Sequence, residues 1–286
     1  MTNVGVVVPV GPGREENLRA CLASLECQTV GPYQVLVVFD GPESAVSLPH
    51  RESLSHVTLL EKHTPGQEQP RNAGVRALDP RCEAVWFVDC DILLAPDALE
   101  RMLEKWRIGR VVIGPYDWLL PGQRTSDSGL HNDPRWAMFE EERWRDPEYE
   151  SVGQLNVGLG CFSGNLLWDR KEFERVGGFW NELHHGRAED GELGLRAVAH
   201  RIPIAIAPEA RGWHLEHPVN VDLALERNER DVPMLNARHP WVQDEGLHIV
   251  EEDGLRFDQT CPRCGESVNS ILYWQHVADH EAVPAP

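Results

Sequence analysis

The first 113 residues alternate between short apolar runs and helical patterns, and this alternation constrains the fold more than any other feature of the chain. The apolar runs, which we interpret as strands, cover Val4–Val10, Gln34–Phe39, His56–Leu60, Ala84–Val88 and Arg110–Ile113. Helical spacing of apolar residues follows the first run, recurs from about Glu68 to Leu78, and resumes after Pro96. Strands joined through helices lie parallel in one sheet, with the helices on both of its faces. The sequence therefore predicts an α/β domain built on a mostly parallel, twisted sheet.

Acidic residues outnumber basic ones, which limits the possible partners. The chain of 286 residues has 27 Lys and Arg against 46 Asp and Glu, a formal net charge of −19 at pH 7. Such a surface repels nucleic-acid backbones and anionic lipid headgroups, so we expect no nucleic-acid partner. A phosphate-bearing substrate must be received locally, by a metal ion, a helix N-terminus or a few arginines.

The N-terminal segment, the length of the apolar runs and the placing of the cysteines indicate where the protein resides. No basic leader precedes Val4–Val10, and no window approaches the roughly 18 apolar residues of a membrane span. Five of the seven cysteines are scattered through apolar or helical segments, as expected for reduced thiols: Cys21, Cys27, Cys82, Cys90 and Cys161. We therefore predict a cytoplasmic protein without a membrane span.

Two aspartates follow the apolar run Ala84–Val88. If the chain stays extended there, the carboxylates of Asp89 and Asp91 project to the same side and can share one cation. Ligands in open α/β sheets bind beyond the carboxyl ends of the strands, and hard oxygen ligands suit Mg²⁺ or Mn²⁺. The alternative is a pair of aspartates that only forms a turn or a helix cap.

An ordered set of short motifs accompanies this pair. The set is Val6–Gly13, Val37–Pro42, Gln69–Gly74, Asp89–Asp91, Val176–Phe179 and Ala188–Arg196. In this order the motifs resemble those of the GT-A glycosyltransferases, family-2-like and with a galactosyltransferase-type C-terminal segment. Two positions depart from the family pattern, since Phe39 and Trp180 replace aspartates. The resemblance covers roughly residues 3 to 217 and implies a mixed sheet flanked by helices.

The resemblance also implies an activity, which is transfer of a sugar from a nucleotide-diphosphate donor, most often UDP-linked, to an acceptor hydroxyl. It implies a divalent cation, Mn²⁺ or Mg²⁺, held by Asp91, Asp89 and His214, and an inverted anomeric centre, although some relatives retain it. The implied contacts with the nucleotide sugar are Pro9, Val10, Asp40, Arg71, Asp89, Gly164 and Asn165.

Asp190 and Glu189 are the implied catalytic acids, with Asp190 as the general base and Glu189 orienting the acceptor. Each assignment has a structural alternative. Acids at a helix start are favoured by the helix dipole, Asp40 precedes a glycine as turn residues do, and Arg71 could form only a salt bridge. His214 could be a core histidine, with His217 as a competing ligand.

Two other functions remain open on the sequence. A non-catalytic protein that binds sugar nucleotides or proteins could retain the fold. A sugar nucleotidyltransferase needs a glycine-rich loop with a trailing Arg and Lys, and Gly11–Arg14 lacks the lysine. The acceptor itself is left open among a protein, a small molecule and a glycan.

The C-terminal residues carry a second metal pattern. Cys261, Cys264, His276 and His280 have the spacing C-x2-C-x11-H-x3-H, which is close to that of a tetrahedral zinc site. Four protein ligands make this zinc structural. Because Arg263 is the one basic residue from 259 onward, we expect the module to bind protein or the acceptor rather than nucleic acid. The predicted domains are residues 1–217 (GT-A), 218–258 (helical and acidic connector) and 259–286 (zinc module).

Overall fold

A computed structural model describes residues 2–39, 57–61, 69–119, 125, 146, 148–183, 188–215, 221–244, 258–260 and 266–269. The chain divides into two compact units. The larger consists of Met1–Trp118 and Ser128–Leu215, and the smaller of Leu119–Asp127 and Glu216–Pro286.

The strands of the described residues are β1 Val4–Val10, β2 Gln34–Phe39, β3 Val57–Glu61, β4 Ala84–Val88, β5 Ile92–Leu94, β6 Val111–Ile113, β7 Tyr116–Leu119, β8 Glu150–Ser151, β9 Asn165–Asp169, β10 Ile204–Ile206, β11 Gly212–Leu215, β12 Asp258–Thr260 and β13 Ser267–Asn269. The helices are α1 Glu15–Glu26, α2 Pro70–Ala77, α3 Ala98–Lys105, α4 Leu155–Leu159, α5 Arg170–Arg175, α6 Ala188–Ala199, α7 Val221–Arg238 and α8 Trp241–Asp244. The strands predicted at β1, β2 and β4 are confirmed with the same bounds.

The main sheet has the order β3-β2-β1-β4-β9-β6-β10-β8 in the described residues. Strands β1 to β4 are mutually parallel where they pair, and β1 ends with Val10 beside Phe39 of β2. Strands β1, β2 and β4 are rich in valine and are buried along almost their whole length, as parallel strands between helical layers must be. Their carboxyl ends meet at one edge of the sheet, which is where the site lies.

Strand β9 gives the main sheet the mixed directions that the family resemblance implies, whereas the alternation of strands and helices alone predicted a mostly parallel sheet. It lies between β4 and β6 and runs antiparallel to both, and β8 is antiparallel to β10. The apolar run from Val157 to Trp168 carried no signal of strand direction, because a strand buried on both faces has the same composition in either orientation. The sheet is therefore mixed.

A second, three-stranded sheet has the order β5-β11-β7. Strand β5 begins directly after Asp91, and β11 pairs antiparallel with it so that His214 lies opposite Ile92. The backbone N–H of Leu215 donates a hydrogen bond to the carbonyl of Asp91 over 2.7 Å. The small sheet thus brings residue 214 to the end of β4.

In the smaller unit, α7 contains Pro233, and β12 and β13 form an antiparallel hairpin. None of the described helices is long and apolar enough to cross a membrane. The four predicted zinc ligands, Cys261, Cys264, His276 and His280, lie outside the described residues, as does Asp40.

Candidate active site

The two aspartates after β4 lie in a tight turn, not in extended chain. The N–H of Ile92 donates to the carbonyl of Asp89 over 3.0 Å, which closes the turn. The extended chain on which the predicted common orientation depended is therefore absent at these two residues. Asp89 forms an ion pair with Arg71, whereas the Oδ1 atom of Asp91 lies 3.6 Å from Nε2 of His214.

Arg71 lies in the first turn of α2 and is only 6% exposed. Besides Asp89 it faces Glu189, with 3.7 Å between Nη1 and Oε1, and its guanidinium lies 5.4 Å from the ring centroid of Phe179. Burial opposes its charge, but attraction to Asp89, Asp190 and Glu189 outweighs burial and holds the pKa of Arg71 above its usual value. Arg71 is therefore the buried cation around which the acids gather.

Asn72 fixes the start of α2 against the turn that follows α5. Its side chain accepts from the N–H of Phe179 and donates to the carbonyl of the same residue, both over 2.8 Å. Gly178 has φ +69°, and a Cβ there would lie 2.6 Å from Oδ1 of Asn72, so glycine is required by both conformation and space. We call this pairing of Asn72 with Gly178 and Phe179 the amide clasp.

Asp190 lies in the first turn of α6, where it is half-buried. Its Oδ2 atom accepts a hydrogen bond of 3.0 Å from the backbone N–H of Ser163, and its Oδ1 atom is buried without a hydrogen-bond partner among the described residues. Burial first, and then the nearby charge of Glu189, raise the pKa of Asp190 to about 7. A carboxylate with this pKa can both accept and release a proton near neutral pH.

Two buried features anchor α6. Glu192 and Arg196 form a bidentate ion pair, with contacts of 2.6 to 3.0 Å, and Nη1 of Arg196 donates to the carbonyl of Val176 over 2.6 Å. The helix also crosses α4 at a pair of glycines, because a Cβ on Gly194 would lie 1.8 Å from the carbonyl oxygen of Gly158. Neither the ion pair nor the glycine crossing was predicted from the sequence, although Glu192 and Arg196 have the i,i+4 spacing of a helical ion pair.

His214 lies among aromatic rings. The ring centroid of Trp118 is 4.0 Å from that of the imidazole, and the ring of Tyr116 is stacked at 6.3 Å. Two ligands of one cation, each about 2.1 Å from it, can stand up to about 4.2 Å apart. The 3.6 Å between Asp91 and His214 therefore fits a shared Mn²⁺ or Mg²⁺ ion.

The predicted ligand trio is only partly assembled. No group of three metal-ligating side chains occurs within the described parts of the chain, because Asp89 faces Arg71 while Asp91 faces His214. A cation held here would take Asp91 and His214 from the protein, and its other ligands from the bound molecule, water or a reoriented Asp89.

Gly164 and Asn165, two of the predicted contacts with the nucleotide sugar, lie in different surroundings. Gly164 lies against the ring of Tyr116 and its carbonyl accepts from the N–H of Asp89 over 3.4 Å, so it borders the site. The Asn165 side chain is fully buried, and its amide is bonded to Trp86 and to the carbonyl of Ala210. That side chain belongs to the core of the sheet, and a contact of the Asn165 backbone with the nucleotide sugar stays a prediction.

Pro9 and Val10 form the carboxyl end of β1, with Pro9 half-buried and Val10 buried. Pro9 and Val10 are thus at the same edge of the sheet as Asp89.

Comparison with known proteins agrees with this arrangement. A sequence profile described as Glycosyl transferase family 2 matches residues 6–167. The chain is 27% identical over 290 residues to a validoxylamine A glucosyltransferase of Streptomyces hygroscopicus subsp. limoneus, over 90% of this chain and 63% of that protein. It is 25% identical over 225 residues to a chondroitin synthase of Escherichia coli, over 70% of this chain and 32% of that protein. The chain thus spans less than two thirds of either relative.

Solved structures show the same fold. Residues 1–349 of TarS from S. aureus, in complex with UDP-GlcNAc, superpose with a TM-score of 0.60 at 14% identity, covering 82% of this chain and 66% of that fragment. GalNAc-T7 with UDP, GalNAc and Mn²⁺ superposes with a TM-score of 0.57 at 12% identity, covering 76% of this chain and 44% of the other.

Proposed function

Because the chain belongs to glycosyl transferase family 2, we propose that it transfers a sugar from a nucleoside-diphosphate donor to the hydroxyl group of an acceptor. The reaction uses a divalent cation and inverts the anomeric centre. The family assignment confirms the family-2 part of the resemblance noted in the sequence. The donor, the cation and the stereochemistry are parts of the proposal.

The observation that carries the proposal is the state of Asp190. Its carboxylate is half-buried, is oriented by the N–H of Ser163, and has a pKa raised to about 7. It removes the proton from the acceptor hydroxyl as the acceptor oxygen bonds to the anomeric carbon. The bond from that carbon to the diphosphate oxygen breaks on the opposite face, and the electron pair leaves with the diphosphate.

Asp91 and His214 would hold the cation. When bound, the ion offsets the negative charge that develops on the leaving diphosphate. Such an ion is also needed for binding, because Asp89, Asp91, Glu189 and Asp190 repel a diphosphate and Arg71 offsets only one of these charges.

A uridine donor is supported by the two superposed structures, one with UDP-GlcNAc and the other with UDP, GalNAc and Mn²⁺. The nucleotide would lie over the carboxyl ends of β1 and β2, against Pro9, Val10 and Asp40, with Asp89 and Gly164 bordering the sugar. The zinc module and the cytoplasmic location remain predictions from the sequence, and the acceptor remains a protein, a small molecule or a glycan.

The experiment compares Asp190→Asn with Asp97→Asn, which removes a partly exposed carboxylate of the same unit. Calorimetry with UDP and Mn²⁺ reports donor binding, and release of UDP from a panel of UDP-sugars reports turnover. We expect Asp190→Asn to bind UDP normally and to lose about 10²- to 10⁴-fold in turnover, the range for loss of a general base. The Asp97→Asn protein should match the wild type.

Near wild-type turnover in Asp190→Asn would remove Asp190 from the role of base. If the wild-type protein binds no nucleotide with Mn²⁺ and hydrolyses no nucleotide sugar of the panel, the transferase function itself is wrong.

A further inference from the structure

Arg71 occupies a position that the proposed reaction leaves unexplained. Its guanidinium lies between the turn after β4, which carries Asp89, and the start of α6, which carries Glu189 and Asp190. Asp89 belongs to the donor side of the proposed reaction, and Asp190 belongs to the acceptor side. One buried cation therefore joins the two halves of the site.

We infer that Arg71 is a positioning residue, and this inference rests on the proposed function. Arg71 holds the acids of the turn after β4 and of α6 in one arrangement and does not bind the diphosphate. Its two terminal nitrogens face protein carboxylates, Nη2 towards Asp89 and Nη1 towards Glu189. The ring of Phe179 lies beside the same guanidinium at 5.4 Å. A diphosphate would have to reach the remaining N–H groups of a guanidinium that is only 6% exposed.

Replacing those carboxylates is strongly unfavourable because of burial. Glu189 is 1% exposed, so withdrawing Arg71 would leave its charge in the interior without its counterion. Removing one partner of a buried ion pair costs more than the pair contributes, since the remaining charge is desolvated. The geometry thus favours an arginine that stays with its acids through the reaction.

The amide clasp fixes Arg71 in this place. Asn72, the next residue, holds the backbone of Phe179 on both sides, and Gln69, two residues before Arg71, donates its N–H to the side chain of Asn181 over 3.0 Å. The chain on either side of Arg71 is therefore bonded to the turn that also supplies Phe179. Neither element can shift without moving the guanidinium.

Arg71 has a specific effect on Asp190. Within the described residues, the charged or titratable groups that face Asp190 are Glu189 on α6, Asp89 in the turn after β4, Arg71 on α2 and the thiol of Cys161, while Ser163 contributes its N–H. Of these groups, Arg71 supplies the positive charge. Without Arg71, Asp190 would face two carboxylates, and its pKa would rise further. Asp190 would then stay protonated up to a higher pH, and a protonated carboxyl group cannot act as a base.

The test uses Arg71→Met, which removes the charge and keeps the length, and Arg71→Lys, which restores the charge. Arg81→Met is the matched control, since Arg81 forms an exposed surface pair with Asp79. Calorimetry with UDP and Mn²⁺ measures nucleotide affinity. The pH profile of UDP release from a UDP-sugar measures the ionisation of the base.

We expect Arg71→Met to bind UDP within about threefold of wild type while the acid limb of its pH profile moves up by about one unit or more. Arg71→Lys should return the limb towards wild type, and Arg81→Met should change neither quantity. A tenfold or greater loss of UDP affinity in Arg71→Met would show that Arg71 binds the diphosphate and would overturn the inference. An acid limb of Arg71→Met that stays at its wild-type pH would also overturn the inference.

If Arg71→Met does not fold, Asn72→Ala replaces it, because loss of the amide clasp displaces Arg71 and should move the limb in the same direction. An unmoved limb in Asn72→Ala then overturns the inference. A wild-type protein that shows no Mn²⁺-dependent UDP binding and no UDP release contradicts the proposed function instead, so the two failures are distinguishable.

Discussion

The glycine crossing between α4 and α6 gives the sharpest prediction. In Gly194→Ala the new Cβ would lie 1.8 Å from the carbonyl oxygen of Gly158 and 2.7 Å from its carbonyl carbon, whereas ordinary contacts begin near 3.4 Å. Both atoms belong to backbone, so no side chain can move aside. The two helices must separate by about 1.5 Å, at a cost at the upper end of the about 1–3 kcal/mol typical of overpacking.

The separation should affect catalysis as well as stability. Ser163, which follows α4, donates to Asp190 at the start of α6 over 3.0 Å, so moving the helices apart lengthens this hydrogen bond. A misplacement of about 1 Å in a catalytic group can cost about 10²-fold in rate. Gly194→Ala should therefore lower the melting temperature by about 6–12 °C and reduce turnover by about 10²-fold.

Gly191→Ala is the matched control on the same helix. A Cβ at Gly191 meets only the Cδ2 atom of Leu159, at 3.8 Å, so it fits without strain. Since alanine is the better helix former, this variant should keep its stability or gain up to about 1 kcal/mol. Calorimetric melting and UDP release compare the two variants. If Gly194→Ala melts within 1 °C of Gly191→Ala, the reasoning from close backbone packing is refuted.

Four further predictions concern Asp190, Glu192, the cation site and the zinc module. Because folding raises the pKa of Asp190 from 3.8 to about 7, this group stabilises the native state below about pH 4 and loses that contribution as the pH rises through 7. Asp190→Asn should therefore gain about 1–3 kcal/mol at pH 8 but little at pH 4, as measured by denaturant unfolding. Glu192→Gln should lose about 3–5 kcal/mol by the same measurement, while Glu104→Gln, at an exposed pair, should lose less than about 1 kcal/mol. EDTA or Asp91→Asn should abolish UDP binding in calorimetry, and binding that persists in EDTA contradicts the cation site. Cys264→Ser should release about one zinc ion per chain, and metal analysis that finds no zinc in the wild type rejects the zinc module.

The sequence predicts the main strands well because their signal is local. Val4–Val10 and Ala84–Val88 are uninterrupted apolar runs, which is what a strand between two helical layers requires. The place of Asp89 at the carboxyl end of a strand follows directly from the second run. The family could be recognised because several such motifs occur in a fixed order.

The arrangement within the site could not be predicted in the same way. Strands β5, β7 and β11 have three or four residues each, which is too short for a periodic pattern. Asp89 and Asp91 have different partners at a turn closed by one backbone hydrogen bond, and the amide clasp joins residues 107 positions apart. The raised pKa of Asp190 likewise comes from burial and from charges on other elements.

The position of β9 has a consequence for the synthesis of the protein. β9 is hydrogen-bonded to β4 on one side and to β6 on the other, and it begins 77 positions after β4 ends. At about 5–20 residues per second, the apolar edge of β4 is without its partner for roughly 4–15 s as the chain leaves the ribosome. An unpaired apolar edge is a template for pairing with other chains. A fragment that ends before residue 165 should therefore aggregate when it is expressed alone.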